Sequence, residues 1–358
     1  MKIGVIGFFQ LRTMQYLTKY TDILDELGVE YDVVHWSRSN DDIPPTFKGK
    51  HIVFNYEMLT EQPFYKKIGG FLRYAHFMRK TIRENKYDKL IVLTTQTAVS
   101  LCDLLLGKYK KKYIYGFYDL TKENNKLFCY LVKWILASAE CATVSSIGFM
   151  EKIGYYGDNI QQAHNTQFLC NKSEFSANKP HEHPIHIVYW GIIRQLNFNK
   201  RICDYFGGDK RFCVIFHGNG VDRELEEYCK DKGYSNIAFT GKYSRKDIPK
   251  FVSKTDILNC IYENDYEMES ALQVKLYDAI HYRLPLLVSA HSYVSEFGKG
   301  LSGLYEFDLC KTTADDICDW YRNNNVEDIN YSYEEYEKRI YNDDITFREN
   351  IVNFVTRE

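Results

Sequence analysis

Proline is scarce, seven in 358 residues, so neither a collagen-like chain nor a polyproline spacer is encoded. The ten cysteines contain no Cys-x-x-Cys pair. Most sit in apolar surroundings, such as Cys213 between Phe212 and Val214, and read as reduced core thiols rather than a disulfide frame or a zinc site. No stretch reaches the ~18 apolar residues that a bilayer-spanning helix needs. The N-terminus enters a strand at once (Lys2-Ile3-Gly4-Val5-Ile6-Gly7), so no secretory signal is expected. Net charge is only −2, which argues against nucleic acid or another polyanion as the partner of the whole molecule. The first strand–helix turn carries Gly7 alone and no Gly-x-Gly-x-x-Gly, so a dinucleotide fingerprint is rejected. No Asp-x-Asp closes a strand, and no metal requirement is expected.

What is present is a globular composition, 45% hydrophobic and 26% charged, long enough for two domains. The 30 tyrosines and 22 phenylalanines fit codon bias and aromatic-lined sugar sites equally well. Strand-length apolar runs alternate with helical periods twice over. The first series places strands at 3–9, 31–36, 52–55, 90–94, 113–118, 142–145 and 162–168. Helices are expected over 13–27, broken near Tyr20-Thr21-Asp22, and over 64–86, 97–106 and 125–139. Polar residues 169–184, with Pro180 and Pro184, read as a linker. The second series has strands at 185–189, 211–216, 237–240 and 256–262, with a helix over 247–254. Residues 331–358 form a charged amphipathic tail.

Three features carry chemistry. In Lys275-Leu276-Tyr277-Asp278-Ala279-Ile280 a helix precedes Arg283, Pro285 and the apolar strand at Leu286. It sets Lys275 and Asp278 one turn apart, suited to a nucleotide's phosphates and ribose or to a plain surface ion pair. Asp119 ends a strand, where it either faces a ligand crevice or caps the next segment. The 64–86 helix interleaves Lys66, Lys67 and Arg73 with aromatic residues, as an anionic membrane surface or a solvated face would require.

The 275–289 stretch resembles the nucleotide-sugar motif of GT-B glycosyltransferases, specifically the glycosyl transferases group 1 (family 4) group, of the capsular and exopolysaccharide type. Asp278 stands seven residues before Pro285, where that family places a ribose-binding glutamate. The resemblance implies an α/β GT-B fold: two facing Rossmann-like domains, with a C-terminal helix crossing back to the first. Residues 1–178 would form the acceptor side, 185–335 the nucleotide-sugar domain, and 336–358 the returning helical tail. It implies a retaining, metal-independent transfer from a nucleotide-diphosphate sugar, a UDP-sugar in the first instance, to a lipid-linked surface glycan. The protein would be cytoplasmic, held peripherally at the inner face of the plasma membrane. No cofactor is implied, the nucleotide-sugar being a substrate.

The donor would be held by Gly191, Arg194, Lys200, His217, Gly218, Lys275, Leu276 and Asp278, with Arg201 a rival to Lys200. The Gly218 and Gly220 pair would let backbone approach the ligand. Asp119 or His164 would act on the acceptor hydroxyl. Arg12, Lys66, Lys67 and Arg73 would lie on the acceptor or membrane side. The chain departs from the family's paired glutamates. Counting back eight residues from Asp278 gives Ser270, and Glu267 and Glu269 miss that spacing. Arg283 replaces the usual turn glycine. A 2-epimerase-like sugar-nucleotide enzyme and a catalytically degenerate binding protein are the alternatives.

Overall fold

A computed structural model describes residues 1–11, 14, 16–38, 46–58, 64–166, 174–182 and 184–357, with 64–67 described by backbone alone. The chain divides into two units. Unit 1 comprises Met1–Asn165 with Asn342–Glu358, and unit 2 comprises Thr166–Tyr341.

Unit 1 runs β1 (Lys2–Gly7), α1 (Leu17–Glu26), β2 (Glu30–Ser37), β3 (Lys50–Asn55), α2 (Phe64–Asn85), β4 (Lys89–Leu93), α3 (Thr95–Ser100), α4 (Cys102–Leu106), β5 (Tyr113–Phe117), α5 (Lys126–Ser138), β6 (Cys141–Val144), α6 (Ile147–Ile153) and β7 (Ile160–Gln162). Its seven strands are parallel, in the order β3-β2-β1-β4-β5-β6-β7. Central strands are buried on both faces, so they read as unbroken apolar runs. One face packs Ile3, Val5, Tyr20, Leu24 and Ile91 with Phe347, Ile351 and Phe354 of the C-terminal helix. On the other, Phe8, Trp36, Phe54 and Tyr74 interlock edge to face or tilted.

Four expected boundaries move for local reasons. The first helix is not broken at Tyr20-Thr21-Asp22: Leu17, Tyr20, Thr21 and Leu24 form its buried face, and Thr21 Oγ1 donates to Leu17 O (3.2 Å) without interrupting it. The helix expected over 97–106 is two helices, parted at Leu101, whose φ of −112° and ψ of 12° leave the helical basin. The seventh strand ends at Gln162, where the side chain turns to bond Ser145 O (2.7 Å) and Ile147 N (3.1 Å). The expected 247–254 helix is a 3-10 turn, Arg245–Asp247, started by a Ser244 capping box and followed by a short helix, Ile248–Val252.

Unit 2 runs β8 (Ile185–Trp190), α7 (Leu196–Phe206), β9 (Phe212–His217), α8 (Asp222–Asp231), β10 (Ile237–Gly241), α9 (Ile248–Val252), β11 (Ile257–Cys260), α10 (Val274–Tyr282), β12 (Leu286–Ser289), α11 (Tyr293–Phe297), β13 (Leu304–Phe307) and α12 (Ala314–Arg322). The six parallel strands are ordered β10-β9-β8-β11-β12-β13. Counted along the chain this is the doubly wound order 3-2-1-4-5-6, and its direction reverses between β8 and β11. Helix α13 (Val326–Thr356) follows. Its Ile329, Tyr333 and Ile340 belong to the core of unit 2.

Arg283 explains one departure noted in the sequence. It ends α10 in the left-handed region (φ +57°), the conformation for which glycine is usual. What holds an arginine there is an enclosed ion pair: Nη2 lies 2.6 Å from Glu337 Oε2 on α13, and Nη1 donates to Ile280 O. Arg283→Gly relieves backbone strain of about 1 kcal/mol but strands the Glu337 charge. The expected net destabilisation is about 2–4 kcal/mol, read as a lower urea midpoint. Adding Glu337→Leu should restore most of it, and a single variant as stable as the parent would refute this account.

Candidate functional site

In an open doubly wound sheet, ligands bind beyond the carboxyl ends of the strands, where the strand order reverses. In unit 2 that point lies between the turn after β8 and the turn after β11. Three backbone bonds join the turn after β8 to its neighbours: Gly191 N to His217 O (3.0 Å), Ile193 N to Asn219 O (2.9 Å) and Val221 N to Ile193 O (3.0 Å). Gln195, itself at φ +56°, spans the reversal: its Oε1 accepts from Glu263 N (3.0 Å) and its Nε2 donates to Asp265 Oδ2 (3.0 Å).

Lys275 stands behind this crossing. It is 5% exposed, on the first turn of α10. Its ammonium lies 3.9 Å from the centroid of Tyr189 and 4.7 Å from that of Tyr262, and donates to the Tyr262 hydroxyl. Among the described residues it pairs with no carboxylate. A Cβ on Gly191 (φ +141°) would stand 3.5 Å from Lys275 Nζ, so the lysine faces bare backbone there. Helix α10 begins without a side-chain cap and without an acid in its first turn, leaving its amide dipoles unopposed.

Asp278, one turn on, is placed differently from the expected open ribose acceptor. It is 1% exposed, and both oxygens are engaged: Oδ2 accepts from Trp190 Nε1 (2.8 Å) and Oδ1 from Arg245 Nη2 (2.9 Å). Burial pushes its carboxyl up from 3.8, against the opposing pull of Arg245 and of the Trp190 bond. Its direct effect is to hold Arg245, whose side chain is one-third exposed.

The remaining predicted residues divide. Gly191, His217 and Gly218 join Lys275 around the β8 and β9 turns. The His217 ring stacks on Phe251 (3.6 Å, 3°) and its Nδ1 meets Thr240 Oγ1 (2.7 Å); burial lowers its pKa from 6.5, which keeps the ring neutral. The glycine pair does not open backbone to a ligand as expected. A Cβ on Gly218 would lie 1.8 Å from Gly191 O, and one on Gly220 2.1 Å from Ile193 O, so the space is filled by the adjoining turn. Arg194 is exposed; burial pushes the Tyr262 phenol well above its ordinary value, and the nearby Arg194 charge opposes that only slightly.

Lys200 is not brought into this group; it covers the ring of Tyr228 on α8 (4.9 Å). Its rival Arg201 lines a cavity of about 200 Å³ beyond β11, β12 and β13, with Tyr262, Ser289, His291 and Asp308. Leu276 has its side chain fully buried in the core, so only its backbone, on the first turn of α10, is left to face a ligand.

In unit 1, Asp119 is exposed two residues beyond β5. His164 is fully buried, and its Nε2 lies 2.9 Å from Asp343 Oδ2, which ties it to α13 rather than to an acceptor. Arg73 is exposed on α2, its guanidinium 5.2 Å over Tyr56. Arg12 and the side chains of Lys66 and Lys67 lie outside the described residues. Trp190, Tyr189, Tyr262, Gln195 and Arg245 were absent from the sequence-derived site. Only the aromatic end of β8 and the acid–aromatic turn after β11 carried a hint of them.

No protein-family model and no curated protein matches the sequence. The fold does match solved structures along its whole length. A sucrose-phosphate synthase from Thermosynechococcus elongatus superposes with a TM-score of 0.69 at 11% identity, over 98% of both chains. HepE of Anabaena, in complex with UDP, gives 0.67 at 11% identity, over 99% of this chain and all of that one. The lipopolysaccharide outer core galactosyltransferase WaaB, in its apo form, gives 0.64 at 16%, over 99% of each. The fold class is therefore α/β of the GT-B type: two Rossmann-like parallel-sheet domains and a C-terminal helix.

Proposed function

We propose that this chain is a glycosyltransferase whose unit 2 holds a nucleoside-diphosphate sugar, UDP-linked in the first instance. The observation that carries the reading is Lys275: a buried cation with no carboxylate salt-bridge partner among the described residues, at the strand-order reversal, against the open backbone of Gly191. HepE has been solved with UDP and with UDP-glucose, which supports the choice of nucleotide. In the transfer, the bond from the anomeric carbon to the β-phosphate oxygen breaks, and a bond to an acceptor hydroxyl oxygen forms. Negative charge develops on the departing diphosphate. Lys275, Arg194 and the α10 N-terminus neutralise it without a metal ion. Arg245, steadied by Asp278, contributes a second guanidinium from the β10 side.

The transfer is read as retaining. The acceptor is read as a hydroxyl of a growing, lipid-linked glycan, with Asp119 orienting it and taking its proton. Among the described residues no helix is long and apolar enough to cross a membrane. Peripheral attachment would use the basic α2, with Arg73. The outer face of α5, where Leu127, Tyr130 and Trp134 are exposed beside Lys126, would add apolar contact.

The experiment is thermal unfolding against a panel of UDP-, GDP- and dTDP-sugars. A donor at a hundred times its Kd stabilises by about 2.7 kcal/mol. The expected result is a raised melting temperature for one nucleotide class, UDP first. No shift with any nucleotide would refute the donor site. Conversion of the sugar without an acceptor would assign an epimerase instead.

A further inference from the structure

At the other end of the same sheet, three potential ligands converge. His186 is the second residue of β8, Asp256 immediately precedes β11, and His181 lies in the segment leading into β8. Asp256 Oδ1 is 2.9 Å from His181 Nε2, and Oδ2 is 3.1 Å from His186 Nδ1. One nitrogen from each histidine and a carboxylate oxygen all fall within 4.8 Å of one another. The His181 ring is the informative member. Its Nδ1 meets the carbonyl of Glu182 while its Nε2 meets the carboxylate. Both partners only accept, and a neutral imidazole carries a single N–H. Either both ring nitrogens carry a proton, or Nδ1–H donates to the carbonyl and the Nε2 lone pair, facing an anionic oxygen, is placed to bind a cation.

We propose that His181, His186 and Asp256 bind a divalent transition-metal ion, zinc by ligand type. Two imidazoles and a carboxylate form a three-ligand set that leaves a fourth tetrahedral position to water. Bond lengths of about 2.0–2.2 Å put the ligand atoms of a tetrahedral ion roughly 3.3 Å apart. The two histidine–carboxylate contacts, made to different oxygens, need to open by a few tenths of an ångström, and the two histidine nitrogens, within 4.8 Å of each other, would close onto the ion. The outer contacts already suit such a site. The Glu182 carbonyl fixes the His181 tautomer that frees Nε2, and the His186 backbone N–H, 2.7 Å from Asp256 Oδ2, orients the carboxylate. Side-chain exposures of 48% for His181 and 36% for His186 leave an entry path.

The role is structural. Strand β8 sets the metal roughly 16 Å from Gly191, at about 3.3 Å per residue. The ion would clip the segment before β8 to the base of the unit 2 sheet.

The test is a titration of chelator-treated full-length protein with ZnCl2, followed by calorimetry and melting temperature, with CoCl2 as a spectroscopic probe. The expected result is one equivalent bound per chain, a raised melting temperature, and the visible absorption of a tetrahedral cobalt centre. His181→Ala removes an exposed side chain outside the strands. It should weaken binding at least ~10–100-fold, the loss typical even of outer contacts to a metal site. Circular dichroism of that variant without metal should match the parent, and His186→Ala should show the same loss. Absence of stoichiometric Zn2+ binding in the parent, or unchanged affinity in His181→Ala, would overturn the site.

Discussion

Lys275→Met is expected to lower kcat/KM for sugar transfer by about 10²–10³-fold, the cost typical of removing one preorganised charge-stabilising group. Methionine keeps most of the stem that fills the space beside Tyr189 and Tyr262, so the variant should fold. The size of the effect follows from what surrounds the ammonium. Two aromatic faces and a phenol hold it in place by dipole and quadrupole attraction rather than by a salt bridge. The nearest acid along its own helix, Asp278, is already occupied by Arg245 and Trp190. A buried cation acts through a low local dielectric, where each charge is worth far more than in water. Steady-state kinetics with the donor found by thermal shift provides the measurement. An unchanged kcat/KM with an unchanged melting temperature would remove Lys275 from the site. If UDP shifts the parent's melting but transfer is never seen, donor binding stands and the transferase reading falls.

The sequence exposed what is local and hid what is distant. Parallel strands buried on both faces appear as apolar runs, so all the central strands of both sheets could be placed to within a residue or two. The Lys275–Asp278 spacing was equally plain, because helical neighbours are fixed by the period. Neither Trp190 nor Arg245 could be attached to Asp278, since they lie 88 and 33 residues away along the chain and meet it only through sheet order. The same holds for His164, whose partner Asp343 is 179 residues off. A buried histidine and a catalytic one look alike until the partner is known. Gln195 gave no signal at all: its work is to bridge two turns that become adjacent only once β8 and β11 pair.

Gly218→Ala should cost about 3–5 kcal/mol and abolish donor binding together with stability, because clash and backbone strain coincide there. At φ +148° the residue occupies a region that side chains avoid, and its added Cβ would meet Gly191 O at 1.8 Å. That oxygen belongs to backbone whose amide is bonded to His217 O, and Gly218 N is itself bonded to Gly241 O (2.8 Å). Nothing in this stack is a flexible side-chain end that could swing aside. Relief therefore requires the β8 turn to move, and with it the backbone that Lys275 faces. Gly208→Ala provides the matched control. It too has a positive φ (+79°), but nothing lies within 4 Å of the added carbon, so only the left-handed backbone term of about 1–2 kcal/mol applies. The difference between the two urea midpoints isolates the steric term. If both variants lost the same stability and Gly218→Ala still bound the donor, the stacked turns would be yielding loops, and the placement of Lys275 would have to come from α10 alone.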